Sequence, residues 1–130
     1  MHAECPTEWP PVDPVRFGQH IAASIARPDM ILFGVAETDG IVGMVTAVAG
    51  DYSWSSERRA ACELLYILPE HRNLRTALCL LRHFETWADI LDARHRFMGD
   101  VSGIATDKLR KFYERAGYRR IGSMYWRRAA

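Results

Sequence analysis

Apolar and polar positions along this 130-residue chain change period several times, and each change marks an element. A proline-rich lead-in ends at Pro14. "RFGQHIAASIARPD" then places Phe17, Ile21 and Ile25 one per helical turn and stops at Pro28, which predicts a first helix. "MILFGVAETDGIVGMVTAVAG" reads as a hairpin, because two β-rich runs flank a turn in which Asp39-Gly40 offers a positive-φ pair. "DYSWSSERR" reads as a polar loop carrying Tyr52 and Trp54. "AACELLYIL" is almost continuously apolar and predicts a central strand buried on both faces. A helix follows from about Arg75 to Asp92, with Leu78, Leu81, Phe84, Ala88 and Leu91 on one face. "RHRFMGDV" predicts a fourth strand, and "TDKLRKFYERAGY" a short helix with Leu109, Phe112 and Tyr113 on one side and Gly117 as its C-cap. "YRRIGSMYW" predicts a last strand. This order implies an α/β fold, one mixed sheet with helices on its faces, in a single domain spanning residues 1–130.

Composition narrows the partners. The chain has 17 Lys and Arg against 16 Asp and Glu, a net charge of +1, with 48% hydrophobic and 25% charged residues. That balance is ordinary for a globular protein and argues against nucleic-acid binding by bulk charge, although the tail "YRRIGSMYWRR" is locally basic. No run approaches the ~18 apolar residues of a membrane span, and "MHAECPTEWPPVDP" lacks a signal-peptide pattern, so a cytoplasmic location is expected. Cys5, Cys62 and Cys79 have no metal or redox spacing, and Cys62 and Cys79 sit in apolar runs as small core residues. His2, His20, His71, His83 and His95 likewise show no metal spacing.

The stretch "ILPEHRNLRTALCLL" carries the first chemical signal. An apolar strand meets a proline, then an arginine-bearing turn, then an apolar helix start. Unpaired N–H groups and a partial positive charge at such a helix mouth suit an anion.

Together with "KFYERAGYRRIG" downstream, this stretch resembles the GNAT superfamily, the Gcn-related N-acetyltransferases, over nearly the whole chain from Phe17 to Trp126. The short chain is similar to the compact members found in bacteria and phages. The family's turn reads Arg/Gln-x-x-Gly-x-Gly/Ala; the matching residues are Arg72, Asn73, Leu74, Arg75, Thr76 and Ala77, with Arg75 where the family has its central glycine. The resemblance implies a mostly antiparallel sheet splayed between the family's fourth and fifth strands. It also implies acetyl-CoA as co-substrate, with the pyrophosphate on the N–H groups of Asn73 to Ala77 and on the Arg72 and Arg75 side chains. The pantetheine arm would pair with the backbone of Leu65, Tyr66 and Ile67. Thr106 stands where the family often has a CoA-binding Asn.

Acyl transfer to an amine moves two protons, one off the amine and one onto the thiolate. Tyr113 matches the family's general acid; the residue pattern alone favours a half-buried aromatic of the helix's packing face. Glu63, the one acid in the predicted central strand, is the candidate base, since a carboxylate buried there is costly unless it is paired or opens to a cleft. A structural Glu paired with an arginine is the competing reading. Asp100 is a second carboxylate that could act as base or seat the amine. Tyr52 and Trp54 are candidates for lining an acceptor pocket, and equally for core or homodimer contacts.

The expected activity is therefore direct acetyl transfer from acetyl-CoA to a primary amine, on a protein or a small molecule, with no metal and no membrane partner. The alternative keeps the fold as a CoA-binding or protein-interaction module with weak or no catalysis, a reading that Arg75 in place of glycine favours.

Overall fold

A computed structural model describes residues 10–99 and 106–129. Helix α1 spans Pro14–Ala26. Its start is fixed by Asp13, whose Oδ1 accepts from the N–H groups of Val15 at 3.0 Å and Arg16 at 3.2 Å, while Pro14 supplies the preset φ of a first helical residue. α1 buries no residue completely; it rests on the sheet through Phe17, whose ring meets Phe33 edge-on at 5.9 Å.

Strands β1 (Ile31–Thr38) and β2 (Gly40–Tyr52) form the expected hairpin. The turn needs only one left-handed residue, Gly40 at φ +113°; Asp39 does not share it. β2 runs straight on into a second hairpin with β3 (Ser55–Ile67). The segment read as a polar loop is thus mostly strand, reduced to a turn at Ser53 and Trp54. Cross-strand pairs explain why: Arg58 opposes Asp51 with Nε 3.7 Å from Oδ1, and the Arg59 guanidinium lies 5.2 Å from the Tyr52 ring centre.

The most buried strand is β2, not β3. Val42, Val45, Thr46, Ala47 and Ala49 are buried in β2, whereas β3 fully buries only Ala60 and Ile67 and leaves Glu63 exposed. The reason is the seat of helix α2 (Leu74–Ile90), which presses Leu80, Leu81, Phe84, Trp87 and Ala88 into the sheet. Gly43 permits the close seat, since a Cβ there would stand 3.0 Å from both Leu80 Cδ1 and the Tyr66 carbonyl oxygen. The Trp87 indole also donates to the Pro28 carbonyl at 2.7 Å, tying α2 to the loop after α1.

Strand β4 (His95–Phe97) pairs parallel to β3, and only against Arg59–Ala61. The sheet order is β1-β2-β3-β4, antiparallel except for this last pair. The fold is therefore the expected mixed α/β sheet with helices on its faces, and the splay falls between β3 and β4. Helix α3 (Thr106–Arg115) ends at Gly117, with φ +96°. The last strand predicted from "YRRIGSMYW" does not form. Residues 118–129 have no strand partner among the described residues, Ile121, Met124 and Tyr125 are exposed, and Arg120 satisfies itself locally on the Gly122 carbonyl and Ser123 Oγ.

Candidate active site

β3 delivers the chain to a short 3-10 turn, Pro69–His71, and from there to the start of α2. Strand alternation decides which backbone groups are open. Leu68 N–H donates to the Val42 carbonyl at 2.9 Å, across the Gly43–Ile67 pair, so Ile67 and, two residues back, Leu65 point their N–H and C=O groups away from β2. Tyr66 lies between them and turns its own backbone toward Met44. Since β4 stops pairing at Ala61, Leu65 and Ile67 form a free strand edge among the described residues. Of the three residues expected to pair with an extended amide chain, two have the required orientation. The Ile67 carbonyl already accepts from Arg72 Nε at 2.9 Å.

The helix mouth beside this edge is smaller than the sequence implied. Asn73 is the N-cap: its Oδ1 accepts from Thr76 N–H at 2.9 Å and from the Thr76 hydroxyl at 3.1 Å, and its own N–H donates to the His71 carbonyl. Ala77 N–H donates to the Asn73 carbonyl in the first helical bond. Three of the five expected donors are thus satisfied by the chain itself. Leu74 and Arg75 keep N–H groups without an acceptor among the described residues, at the positive end of a 17-residue helix. Two convergent donors on a helix dipole fit one phosphate group of a diphosphate.

Arg72 does not project freely; its guanidinium carbon lies 5.4 Å from the Tyr66 ring centre. The Arg75 side chain is exposed and turns to the β1 flank of α2, where it lines a cavity of about 550 Å³ with Arg82 and His83.

Tyr113 stands on the other side of the splay. It is half-buried on α3, and its hydroxyl donates to the carbonyl of Gly99, just past β4, at 3.2 Å. Its ring neighbours Phe112 and Tyr118. Glu63 is the extra residue of a β-bulge, since Thr46 pairs with Leu64 and Ala47 with Cys62, leaving Glu63 no partner in β2. The bulge frees its side chain to solvent. The burial cost argued for it from sequence therefore does not arise, nor does an arginine pair form among the described residues. Thr106 is exposed as the first residue of α3. Asp100 lies outside the described residues.

Tyr52 and Trp54 are not brought to this place. They sit at the opposite end of β3, and a 13-residue strand rising about 3.3 Å per residue separates its ends by roughly 40 Å. There they stack on each other at 5.0 Å, and Tyr52 meets the His95 ring at 5.4 Å.

One constellation was not foreseen. Arg96 on β4 bonds both Glu85 and Asp89 of α2 and donates to the Ala93 carbonyl, while the Tyr118 hydroxyl donates to Glu85. Burial and the bond to Glu85 push the Tyr118 phenol well above its ordinary range. This network fastens β4, α2 and the segment after α3 together, and so holds the side of the splay that carries Tyr113. The four-residue spacing of Glu85 and Asp89 on one helix face was its only trace in the sequence. Burial also pushes the Cys62 thiol up to about 12, with the neighbouring Glu63 charge adding to the effect and a backbone bond at Leu64 opposing it. A thiol held protonated in this way is no nucleophile.

Residues 1–118 match the acetyltransferase (GNAT) family. This chain belongs to the GNAT family. No curated protein matches the sequence. Among solved structures, glucosamine-6-phosphate N-acetyltransferase from Arabidopsis thaliana superimposes with a TM-score of 0.72 at 13% identity, covering 94% of this chain and 82% of that one. Aminoglycoside 6'-N-acetyltransferase AAC(6')-IG from Acinetobacter haemolyticus gives 0.67 at 17% identity, covering 92% and 83%. AAC(6')-Iy, solved with the bisubstrate analog CoA-S-monomethyl-acetylneamine, gives 0.68 at 19% identity, covering 99% and 86%. At these identities the likeness is one of fold. Among the described residues no helix is long and apolar enough to cross a membrane.

Proposed function

We propose that this GNAT protein transfers an acetyl group from acetyl-CoA directly to a primary amine, of a protein or of a small molecule. The observation that carries the reading is the β3 edge at Leu65 and Ile67, free of a strand partner among the described residues, ending beside the N–H groups of Leu74 and Arg75, which have no acceptor among those residues. The edge suits the amides of a pantetheine arm, and the helix mouth suits a diphosphate. Thr106, at the start of α3, offers CoA a hydroxyl. AAC(6')-Iy accommodates a CoA-linked analog on the same fold, which supports the choice of donor.

In this reading the backbone at the splay polarises the thioester carbonyl, the amine attacks it, and the departing sulfur takes a proton from Tyr113. Glu63, exposed at the bulge two residues from Leu65, takes the amine proton directly or through water. Asp100 is assigned to seating the amine. The protonated, half-buried Cys62 is consistent with a route that has no covalent enzyme intermediate.

A second reading, a CoA-binding module without catalysis, draws on the Tyr113 hydroxyl being committed to the Gly99 carbonyl. Tyr113→Phe separates the two. With an amine acceptor identified by screening, the direct-transfer reading expects kcat to fall about 10²-fold or more while acetyl-CoA affinity is kept. An unchanged kcat removes the acid role from Tyr113 and leaves acetyl transfer standing, whereas no turnover by the wild type with any amine despite tight CoA binding supports the module.

A further inference from the structure

Charge is spread unevenly along the chain. Residues 106–130 carry eight Lys and Arg against two Asp and Glu, a net charge of +6, while residues 1–105 carry nine against fourteen, a net charge of −5. The near-neutral total therefore conceals a strongly basic end. Four of its cations, Lys108, Arg110, Lys111 and Arg115, are exposed on α3, and three of these recur at three- and four-residue spacings on one face of the helix, Lys108, Lys111 and Arg115. Arg119, Arg120, Arg127 and Arg128 are exposed in the segment that follows. Glu85, the acid this segment meets through the Tyr118 hydroxyl, is already held by Arg96, as is Asp89.

Between the two arginine pairs stand the exposed side chains of Ile121, Met124, Tyr125 and Trp126. Tyr125 is 94% exposed, and neither its ring nor that of Trp126 meets another ring among the described residues. Several polyanions would answer the charge, but only one answers the rings as well. An acidic peptide has no row of flat faces to lay on Tyr125 and Trp126. An anionic bilayer suits a basic segment whose helix gathers its apolar residues on one side, and residues 118–129 form no helix. A single nucleic-acid strand offers a base to stack and a phosphate to pair at every step, which matches aromatic side chains flanked by arginines. In a duplex the bases are already paired and stacked inside the helix.

We propose that α3 and residues 118–129 form a binding surface for single-stranded nucleic acid, with bases stacked on Tyr125 and Trp126 and phosphates held by the flanking arginines and the α3 cations. This is a second function of the chain, separate from acetyl transfer and independent of it.

The test is fluorescence anisotropy of a labelled single strand of about 12 nucleotides titrated with the full chain. The wild type is expected to bind at about 50 mM salt and to weaken as salt rises. Trp126→Ala is expected to weaken binding about tenfold at every salt concentration, the loss of one base stack. Arg127→Gln should instead lower the slope of log K against log salt by about 0.7, the loss of one phosphate contact. Both residues are exposed outside the core, so the unfolding midpoint should not move in either variant. Saturating CoA should leave strand affinity within about twofold of its value without CoA. Competition by poly-glutamate of equal charge as strong as that of unlabelled strand, with Trp126→Ala binding as tightly as wild type, overturns the proposal in favour of an acidic protein partner. Tighter binding of the duplex, displacement of the strand by CoA, attachment to phosphatidylserine vesicles without strand binding, or no strand binding at low salt each overturn it too. None of these outcomes bears on acetyl transfer.

Discussion

At Cys62 a single atom's surroundings reach into the behaviour of the whole protein. Its thiol faces the α2 side of β3, packed against the core, and burial raises it from 9.0 to about 12. The fold thus favours the protonated thiol. The stability this confers is fully present below pH 9 and is lost as pH rises toward 12, at up to about 1.4 kcal/mol per pH unit for one proton. Tyr118, raised in the same direction, adds to the loss above its ordinary value of 10.0. Urea unfolding at pH 8 and pH 10.5 should show a falling midpoint for the wild type and a flatter response for Cys62→Ala; equal slopes would contradict the assignment. Residue identity was legible in sequence where backbone chemistry is strict, as at Gly40 and Gly117. It misled at Glu63, because a bulge turns a strand residue outward and apolar neighbours alone do not reveal a bulge. At Asn73 the sequence suggested an anion donor, while its side chain instead completes the helix and takes Thr76 N–H out of use.

Between elements, the decisive contact is α2 against the centre of the sheet. The helix was legible because its apolar period is long and unbroken, and the sequence identified Leu81, Phe84 and Ala88 as inward. The closeness of its seat was not, since that depends on a glycine one strand away. Gly43→Ala places a methyl 3.0 Å from Leu80 and from the Tyr66 carbonyl, and the second of these cannot move without disturbing the β2–β3 ladder. A loss of about 1–3 kcal/mol is expected in denaturant unfolding, with the slope m unchanged; a neutral effect would mean that α2 sits further from the sheet. The second hairpin and the absent last strand share one explanation. Polar composition suggested a loop at 51–59 and β propensity suggested a strand at 118–126, yet strands form where a partner edge is available. Asp51 and Tyr52 find Arg58 and Arg59 opposite them, and the tail finds no edge among the described residues.

Across the whole molecule, one geometric fact organises the site: β3 and β4 part after three residue pairs, and the helix that follows β3 starts beside the opening. The fold class and the helix mouth could be read from order and motif. The division of labour at the mouth could not, because it depends on which N–H groups the cap leaves over. The acceptor side was the least legible: Tyr52 and Trp54 are far along the sheet, and Asp100 lies outside the described residues. The account stands on the claim that Leu74 and Arg75 N–H groups hold the CoA diphosphate, and Leu74→Pro tests it most directly. Proline at the first helical position keeps the helix, and Asn73 already has the extended backbone that a following proline requires, at φ −135° and ψ 166°. The substitution deletes one donor and little else. Calorimetry should show micromolar acetyl-CoA binding by the wild type, weakened about 10- to 100-fold in Leu74→Pro at unchanged helicity, the cost of a lost bond to a charged group. Unchanged affinity in the variant, or no binding by the wild type, would contradict the account.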